Sequence, residues 1–234
     1  SSYQRTASHR ALAAKAAAEA VVLLKNNGVL PLRREKMHRI AVVGAAANAE
    51  PGSFAILPNY YAGGGSGNVG MGSWVSPLDG IMRKATKEGM LVVASPNSSI
   101  AAALEAADIA QVVIAVVGTS ATEFVDRPHL HVHDEGDALI AAVAKRRPTI
   151  VLMQTPGAVV MPWLEEVSAV ANIFLAGEAT GSAWADVLFG DISPAGKLPI
   201  MFPATESDTI APTPRNVNYS EGLFTSYRNP RLKA

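Results

Sequence analysis

Apolar residues along the chain fall into two kinds of segment that alternate. One kind is a short, continuous run rich in valine and isoleucine, such as RIAVVG at 39–44 and QVVIAVVG at 111–118. Runs without an apolar–polar alternation are typical of strands that are buried on both faces of a parallel sheet. Strands are predicted at 39–44, 90–94, 111–118, 149–154 and 167–176, with a short last strand at 198–202.

The other kind of segment carries apolar residues three and four positions apart, which predicts helices. Helices are predicted at 6–26, 76–87, 98–107, 134–146 and 181–189. A regular alternation of strands and helices favours a parallel sheet that is covered by helices. The predicted fold class is therefore α/β, a three-layer sandwich with a mostly parallel sheet of about six strands and helices on both faces.

We expect residues 1–234 to form a single domain. Its first part, 1–30, is predicted to be an N-terminal helix and a linker, because the Ala-rich helical pattern ends at Asn27-Gly28, a pair typical of helix C-termini. After Pro203 the sequence becomes polar and loop-like. Residues 204–234 are therefore predicted to wrap over the surface of the domain.

Charge and composition narrow the range of partners. The 20 basic residues equal the 20 acidic ones, which disfavours nucleic acid or an anionic membrane as the main partner. The longest uncharged apolar stretches are interrupted by proline and glycine and do not predict membrane spans. There is no cysteine, which excludes disulfide scaffolds, thiol nucleophiles and cysteine-based zinc sites.

Ligand sites in open α/β sheets lie at the carboxyl ends of the strands. This rule directs attention to the loops after Gly44, Gly118 and Gln154. The loop after Gly44 is long and rich in glycine, and it contains Gly63, Gly64, Gly65 and Ser66. It lacks the Lys-Ser/Thr pair of a phosphate-binding loop and does not open a helix after a strand, which disfavours nucleotide binding. Its glycines instead allow the backbone to approach a ligand or a neighbouring domain closely.

The loop after Gly118 contains the segment TSATEFVDR, in which Glu123 stands next to Phe124. If this glutamate faces a cleft, desolvation should raise its pKa and allow it to act as a general acid. Spacing alone also allows an ordinary solvated loop carboxylate. Asp126 and Arg127 are predicted to frame the loop through an ion pair and hydrogen bonds.

Three histidines alternate in the segment HLHVH, at His129, His131 and His133. In an extended segment all three imidazoles would project from one face, and three histidines can bind zinc or copper. The alternative is a polar loop face with Leu130 and Val132 directed inward. The alternative is favoured, because metal-binding histidines normally come from separated elements and no carboxylate partner is evident, so no metal site is predicted.

Several segments together resemble the C-terminal α/β-sandwich domain of glycoside hydrolase family 3, which holds β-glucosidases, β-xylosidases and related enzymes. They occur in the order of that family and cover nearly the whole chain. The most specific segment is GEATGSAWADVLFGDISPAGKLPIMFP at 177–203. The others are AAEAVVLLKNNGVLPL at 17–32, IAVVGAAANA at 40–49, NYYAGGGSG at 59–67, SPLDGI at 76–81, ATEFVDRPHL at 121–130 and NYSEGLFTSYR at 218–228.

This resemblance implies the second domain of an enzyme that cleaves β-glucosides or β-xylosides by a retaining double displacement. It places Glu123 on the general acid/base position, has Asp126 and Arg127 hold its loop, and makes Gly63, Gly64, Gly65 and Ser66 a border of the substrate cleft. The aspartate nucleophile of the family is carried by a TIM-like barrel domain, for which this chain offers no counterpart. The isolated chain is therefore expected to be inactive.

The partners implied by the resemblance are a carbohydrate substrate and the barrel domain of the same enzyme, with no cofactor. It also favours an extracellular or secretory location. Phe124 departs from the family pattern, because relatives often carry glycine there. This departure, with the missing barrel, leaves an alternative open: a non-catalytic carbohydrate-binding or protein-interaction module derived from such a domain.

Overall fold

A computed structural model of the protein describes residues 5–51, 59–210 and 215–229. Its five α-helices are α1 (Ala7–Glu19), α2 (Pro77–Lys87), α3 (Ile100–Asp108), α4 (Gly136–Ala144) and α5 (Thr180–Phe189). Its six strands are β1 (Val22–Asn26), β2 (Arg39–Val43), β3 (Leu91–Ser95), β4 (Val112–Gly118), β5 (Thr149–Gln154) and β6 (Ala169–Asn172). None of the helices in the described part of the chain combines the length and the apolar character that a membrane crossing requires.

The six strands form one sheet in the order β1-β6-β5-β4-β2-β3. All neighbouring strands are parallel except β1, which pairs antiparallel with β6. The central strands β4 and β5 are buried along their whole length, whereas the edge strands β1 and β3 are partly exposed. The predicted mostly parallel sheet of six strands is confirmed.

Helices cover both faces of this sheet. On one face, Ile114 and Val116 of β4 pack in a buried cluster with residues of α1, α2 and α5. On the other face, Ala115 and Val117 pack in a second cluster with residues of α3 and α4. Because β2, β4 and β5 each contribute apolar side chains to both clusters, their sequences are continuously apolar, and the predicted three-layer sandwich is confirmed.

The predicted helix at 6–26 is wrong in its second half. The helix ends at Glu19, and residues 22–26 form β1, with Val22 opposite Asn172 of β6. Val22, Leu23 and Leu24 are compatible with either a helix or a strand. They form a strand here because they pair with the edge of β6. The segment 1–30 is therefore not a helix followed by a linker, because it also contributes an edge strand.

The predicted strand at 198–202 is also wrong, because the chain there is irregular. Pro199 and Pro203 have no N–H group to donate to a neighbouring strand, which removes ladder hydrogen bonds from this stretch. Met201 N–H donates instead to Ser226 Oγ, at 2.9 Å, and the Tyr227 hydroxyl donates to the carbonyl oxygen of Leu198, at 2.6 Å. The described part of the C-terminal segment thus contacts the stretch around residues 198–201.

Candidate functional site

Two loops meet above the carboxyl edge of the sheet, next to the neighbouring strands β2 and β4. The glycine-rich loop follows β2, and the loop that carries Glu123 begins where β4 ends at Gly118. Gly64 forms a parallel bridge with Thr122, and its N–H donates to the carbonyl oxygen of Ala121 at 2.9 Å. Two candidate segments that are far apart in sequence are therefore brought together.

The contact is centred on the carboxylate of Glu123. The backbone N–H of Ser66 donates to Glu123 Oε2 and the hydroxyl of Ser66 donates to Oε1, each at 2.7 Å. Gly65 approaches the same side chain closely, since a Cβ atom at this position would lie 2.6 Å from Oε2 and 2.8 Å from Cγ. Gly65 also has a φ of +90°, in the region that favours glycine. Ser66 and Gly65 together fix the position of Glu123.

The environment of Glu123 favours its ionised form. The side chain is exposed, and the backbone N–H and hydroxyl of Ser66 lower the pKa of Glu123 below its ordinary value. The raised pKa of Glu123 was predicted for a carboxylate that faces a cleft, and this exposed carboxylate does not meet that condition. The prediction assumed a cleft that desolvates the carboxylate, whereas here two hydrogen-bond donors stabilise the charge and water covers the rest.

Replacing Ser66 by alanine in this chain should raise the pKa of Glu123 toward its ordinary value. The substitution removes the hydroxyl donor and keeps the backbone donor, so the pKa should remain somewhat depressed. The Glu123 carboxyl carbon, followed by NMR during a pH titration, gives the measurement. Ser120→Ala, in the same loop, is the control and should leave the titration unchanged. An unaltered Glu123 pKa in Ser66→Ala would contradict the assignment of the hydroxyl as a donor.

Residues 122–125, which include Glu123, form a tight turn that is closed by an antiparallel bridge between Thr122 and Val125. Phe124 lies in this turn with a φ of +67°, and its side chain is fully exposed. A positive φ is uncommon for a bulky residue without a special role. Val125 is also exposed, at 65%. The turn thus presents two apolar side chains next to the carboxylate.

Asp126 and Arg127 do not form the predicted ion pair with each other. Asp126 is exposed, whereas Arg127 is half-buried and lies beside Gly157. Burial lowers the pKa of the Arg127 guanidinium, and its buried Nη1 has no hydrogen-bond partner among the described residues. Arg127 therefore holds a half-buried positive charge at the end of the Glu123 loop.

The three histidines lie close together, and two of them also contact other polar side chains. His131 Nδ1 lies 2.6 Å from Asp137 Oδ2, and His133 Nε2 lies 2.8 Å from the hydroxyl of Thr119. The ring of His129 packs edge-on against the rings of both other histidines. Residues 5–51, 59–210 and 215–229 contain no cluster of three or more histidine, aspartate or glutamate side chains that could hold a metal ion.

Gln154 and Tyr60 help to hold the two loops in place through hydrogen bonds, and the sequence analysis did not identify them. Gln154, buried at the end of β5, donates through Nε2 to the carbonyl oxygen of Tyr60 at 3.1 Å. The hydroxyl of Tyr60 donates to Asp134 at 2.6 Å, and burial, with this hydrogen bond, raises the pKa of Tyr60. One signal was available, because a glutamine that ends a continuously apolar strand must find a buried hydrogen-bond partner.

Comparison with known proteins identifies the chain's relatives. The thermostable beta-glucosidase B of Acetivibrio thermocellus is 36% identical over 97% of this chain and 31% of its own length. The crystal structure of beta-glucosidase D2-BGL from Chaetomella raphigera superimposes with a TM-score of 0.86 at 32% identity, over 95% of this chain and 34% of its own. A beta-D-glucoside glucohydrolase from Trichoderma reesei gives a TM-score of 0.83 at 29% identity, over 97% of this chain and 35% of its own.

The chain therefore spans about a third of the length of these relatives. The sequence model of the glycosyl hydrolase family 3 C-terminal domain matches residues 21–227, which is nearly the whole chain. The expected resemblance is confirmed by this match, by the identities and by the fold. The chain belongs to the family of glycosyl hydrolase family 3 C-terminal domains.

Proposed function

We propose that this chain is the second domain of a retaining β-glucosidase and that Glu123 is the general acid/base of the reaction. The observation that carries the proposal is the exposed Glu123 carboxylate, which Ser66 fixes at the carboxyl edge of the sheet. Ligand sites of α/β sheets lie at this edge. The relatives that share the fold and the family are named as beta-glucosidases.

The chemistry requires a second carboxylate. Retaining glycosidases use two carboxyl groups about 5–5.5 Å apart, one as nucleophile and one as acid/base. In this proposal the nucleophile is an aspartate of a barrel domain, which precedes this chain in the same polypeptide and forms the opposite wall of the cleft. Glu123 protonates the glycosidic oxygen as the nucleophile attacks the anomeric carbon, and then takes a proton from the water that releases the sugar.

The lowered pKa of Glu123 in this chain is compatible with the role of general acid only if the barrel domain on the other side of the cleft raises it. A general acid must carry its proton when the substrate binds. A nearby ionised nucleophile and the exclusion of water both raise the pKa of a carboxyl group. When the nucleophile becomes bonded to the sugar, its charge disappears and the pKa of Glu123 falls again, which suits the base step. Ser66 supplies the donors that stabilise the ionised form in this second step.

The glycine-rich loop has a defined place in the proposed site. Gly65 allows the backbone to reach Glu123, and Asn68 Nδ2 donates to the carbonyl oxygen of Gly63 at 2.8 Å, which holds the loop in shape. Gly63, Gly64, Gly65 and Ser66 then border the cleft between the two domains. Asp126 and Arg127 flank the turn of Glu123 on its other side.

The test compares this chain alone with the polypeptide that joins it to the proposed barrel, called the full polypeptide below. The full polypeptide should hydrolyse aryl β-glucosides, and NMR should show β-glucose as the first product, whereas the chain alone should show no hydrolysis. Initial release of α-glucose would contradict the retaining mechanism. A full polypeptide that binds glucosides without hydrolysing them would instead favour a non-catalytic carbohydrate-binding module.

A further inference from the structure

Phe124 combines an exposed aromatic ring with an unfavourable backbone conformation in the turn at 122–125. Its side chain is fully exposed, and its backbone lies at a φ of +67°, where a residue with a large side chain is strained. Phe124 packs against no other aromatic ring in the described part of the chain. Strain of this kind clusters at sites of binding and catalysis.

The position of Phe124 limits what that ligand can be. It directly follows Glu123, whose two carboxylate oxygens are held by Ser66. The bridge between Thr122 and Val125 closes the turn, so the ring and the carboxylate are carried by one short, closed stretch of backbone. A general acid must lie within hydrogen-bond reach of the oxygen that it protonates. In a glycoside this oxygen joins the sugar to the leaving group.

We infer that Phe124 is a specificity residue that contacts the leaving group of the substrate and favours aglycones with an aromatic or other apolar face. This inference rests on the proposed role of Glu123. The Cα atoms of neighbouring residues lie about 3.8 Å apart, so the exposed ring starts from the same short stretch of backbone as the acid and can reach the leaving group next to the glycosidic oxygen. Aromatic rings bind other rings and apolar faces by offset stacking or edge-to-face contact. A ring that is wholly exposed in this chain is free to make that contact.

The test uses the full polypeptide with benzyl β-glucoside and methyl β-glucoside, whose leaving groups are both simple alcohols and differ mainly in the aromatic ring. Phe124→Ala should lower the ratio of kcat/KM for the benzyl over the methyl substrate by about 10-fold or more, the scale expected for a lost apolar contact. Phe124→Tyr keeps the ring and should keep the ratio. Phe124→Gly suits the positive φ, so it should fold normally and should show the same loss as alanine.

Two outcomes would overturn the inference. One is an unchanged kcat/KM for both substrates in Phe124→Ala and in Phe124→Gly. The other is an equal fall for both substrates, which would mean that the ring packs on the opposite domain and supports the site generally. Glu123→Ala, measured with the same two substrates, separates this result from the proposed function. If Glu123→Ala impairs both substrates while the Phe124 variants leave their ratio unchanged, only the role of Phe124 fails.

Discussion

Replacing Glu123 by alanine in the full polypeptide should lower kcat/KM for methyl β-glucoside by about 10²- to 10⁴-fold, the range for loss of a general acid/base. An alkyl leaving group departs poorly as an alkoxide, so it depends on a proton from the acid. A leaving group that is stable as an anion, such as 4-nitrophenolate, needs little protonation. For such a substrate the bond to the leaving group should still break readily in the variant.

The variant should then be limited by its second step, because no base activates the water. Azide needs no base to attack the glycosyl-enzyme, so it should restore turnover and yield a β-glucosyl azide. Glu105→Ala is a suitable control, since Glu105 is an exposed carboxylate on α3, away from the proposed site. Unimpaired hydrolysis of methyl β-glucoside by Glu123→Ala would remove Glu123 from the acid role.

The second large effect is expected from Gly65→Ala, which alters no chemical group of the site. The added methyl would meet Oε2, Cγ and Cβ of Glu123 at 2.6, 2.8 and 2.9 Å, and the φ of +90° is unfavourable for alanine. Either the Glu123 side chain or the loop around Gly65 must therefore move, and both displace the carboxylate from its present contacts. A displacement of about 1 Å at a catalytic group can cost about 10²-fold, so kcat/KM of the full polypeptide should fall by that order.

Gly67→Ala is the matched control, because a Cβ at Gly67 meets nothing within 4 Å and this glycine has no positive φ. It should leave kcat/KM nearly unchanged. The double variant Gly65→Ala/Glu123→Ala tests the cause, since a substitution that acts only by moving Glu123 should add no further loss once Glu123 is gone. Equal kinetics for Gly65→Ala and Gly67→Ala would contradict the proposed contact.

Most strands of the sheet could be predicted from the sequence, because the apolar composition of a buried strand can be seen within the strand itself. A strand buried on both faces must be apolar throughout, so β2, β4 and β5 could be recognised within a few residues of their bounds. The segment that became β1 could not. Its Val-Val-Leu-Leu run follows an Ala-rich helix and suits either structure, and its partner β6 is distant in the sequence. Long-range pairing of this kind overrides local preference.

The site could be predicted only in part, for a similar reason. Glu123 was singled out as a candidate by its position after a central strand and by the family resemblance, and the structure places it against the glycine-rich loop. Its contact with Ser66 joins residues that are 57 positions apart and depends on the conformations of two irregular loops. The pattern of apolar positions gives no information about such loop conformations. The direction of its pKa shift was missed because the prediction placed a desolvating wall beside the carboxylate. That wall, in the proposed enzyme, belongs to another domain.

The antiparallel edge strand has a consequence for the order of events during synthesis. Val22 pairs with Asn172, so β1 waits for a partner that leaves the ribosome 150 residues later. At a translation rate of about 5–20 residues per second, this delay amounts to roughly 8–30 s. Throughout this time the first strand of the domain has no template on which to add. The edge strand β1 can therefore join the sheet only after β6 has been made. In sequence, β1 is also the strand nearest to any domain that precedes this chain.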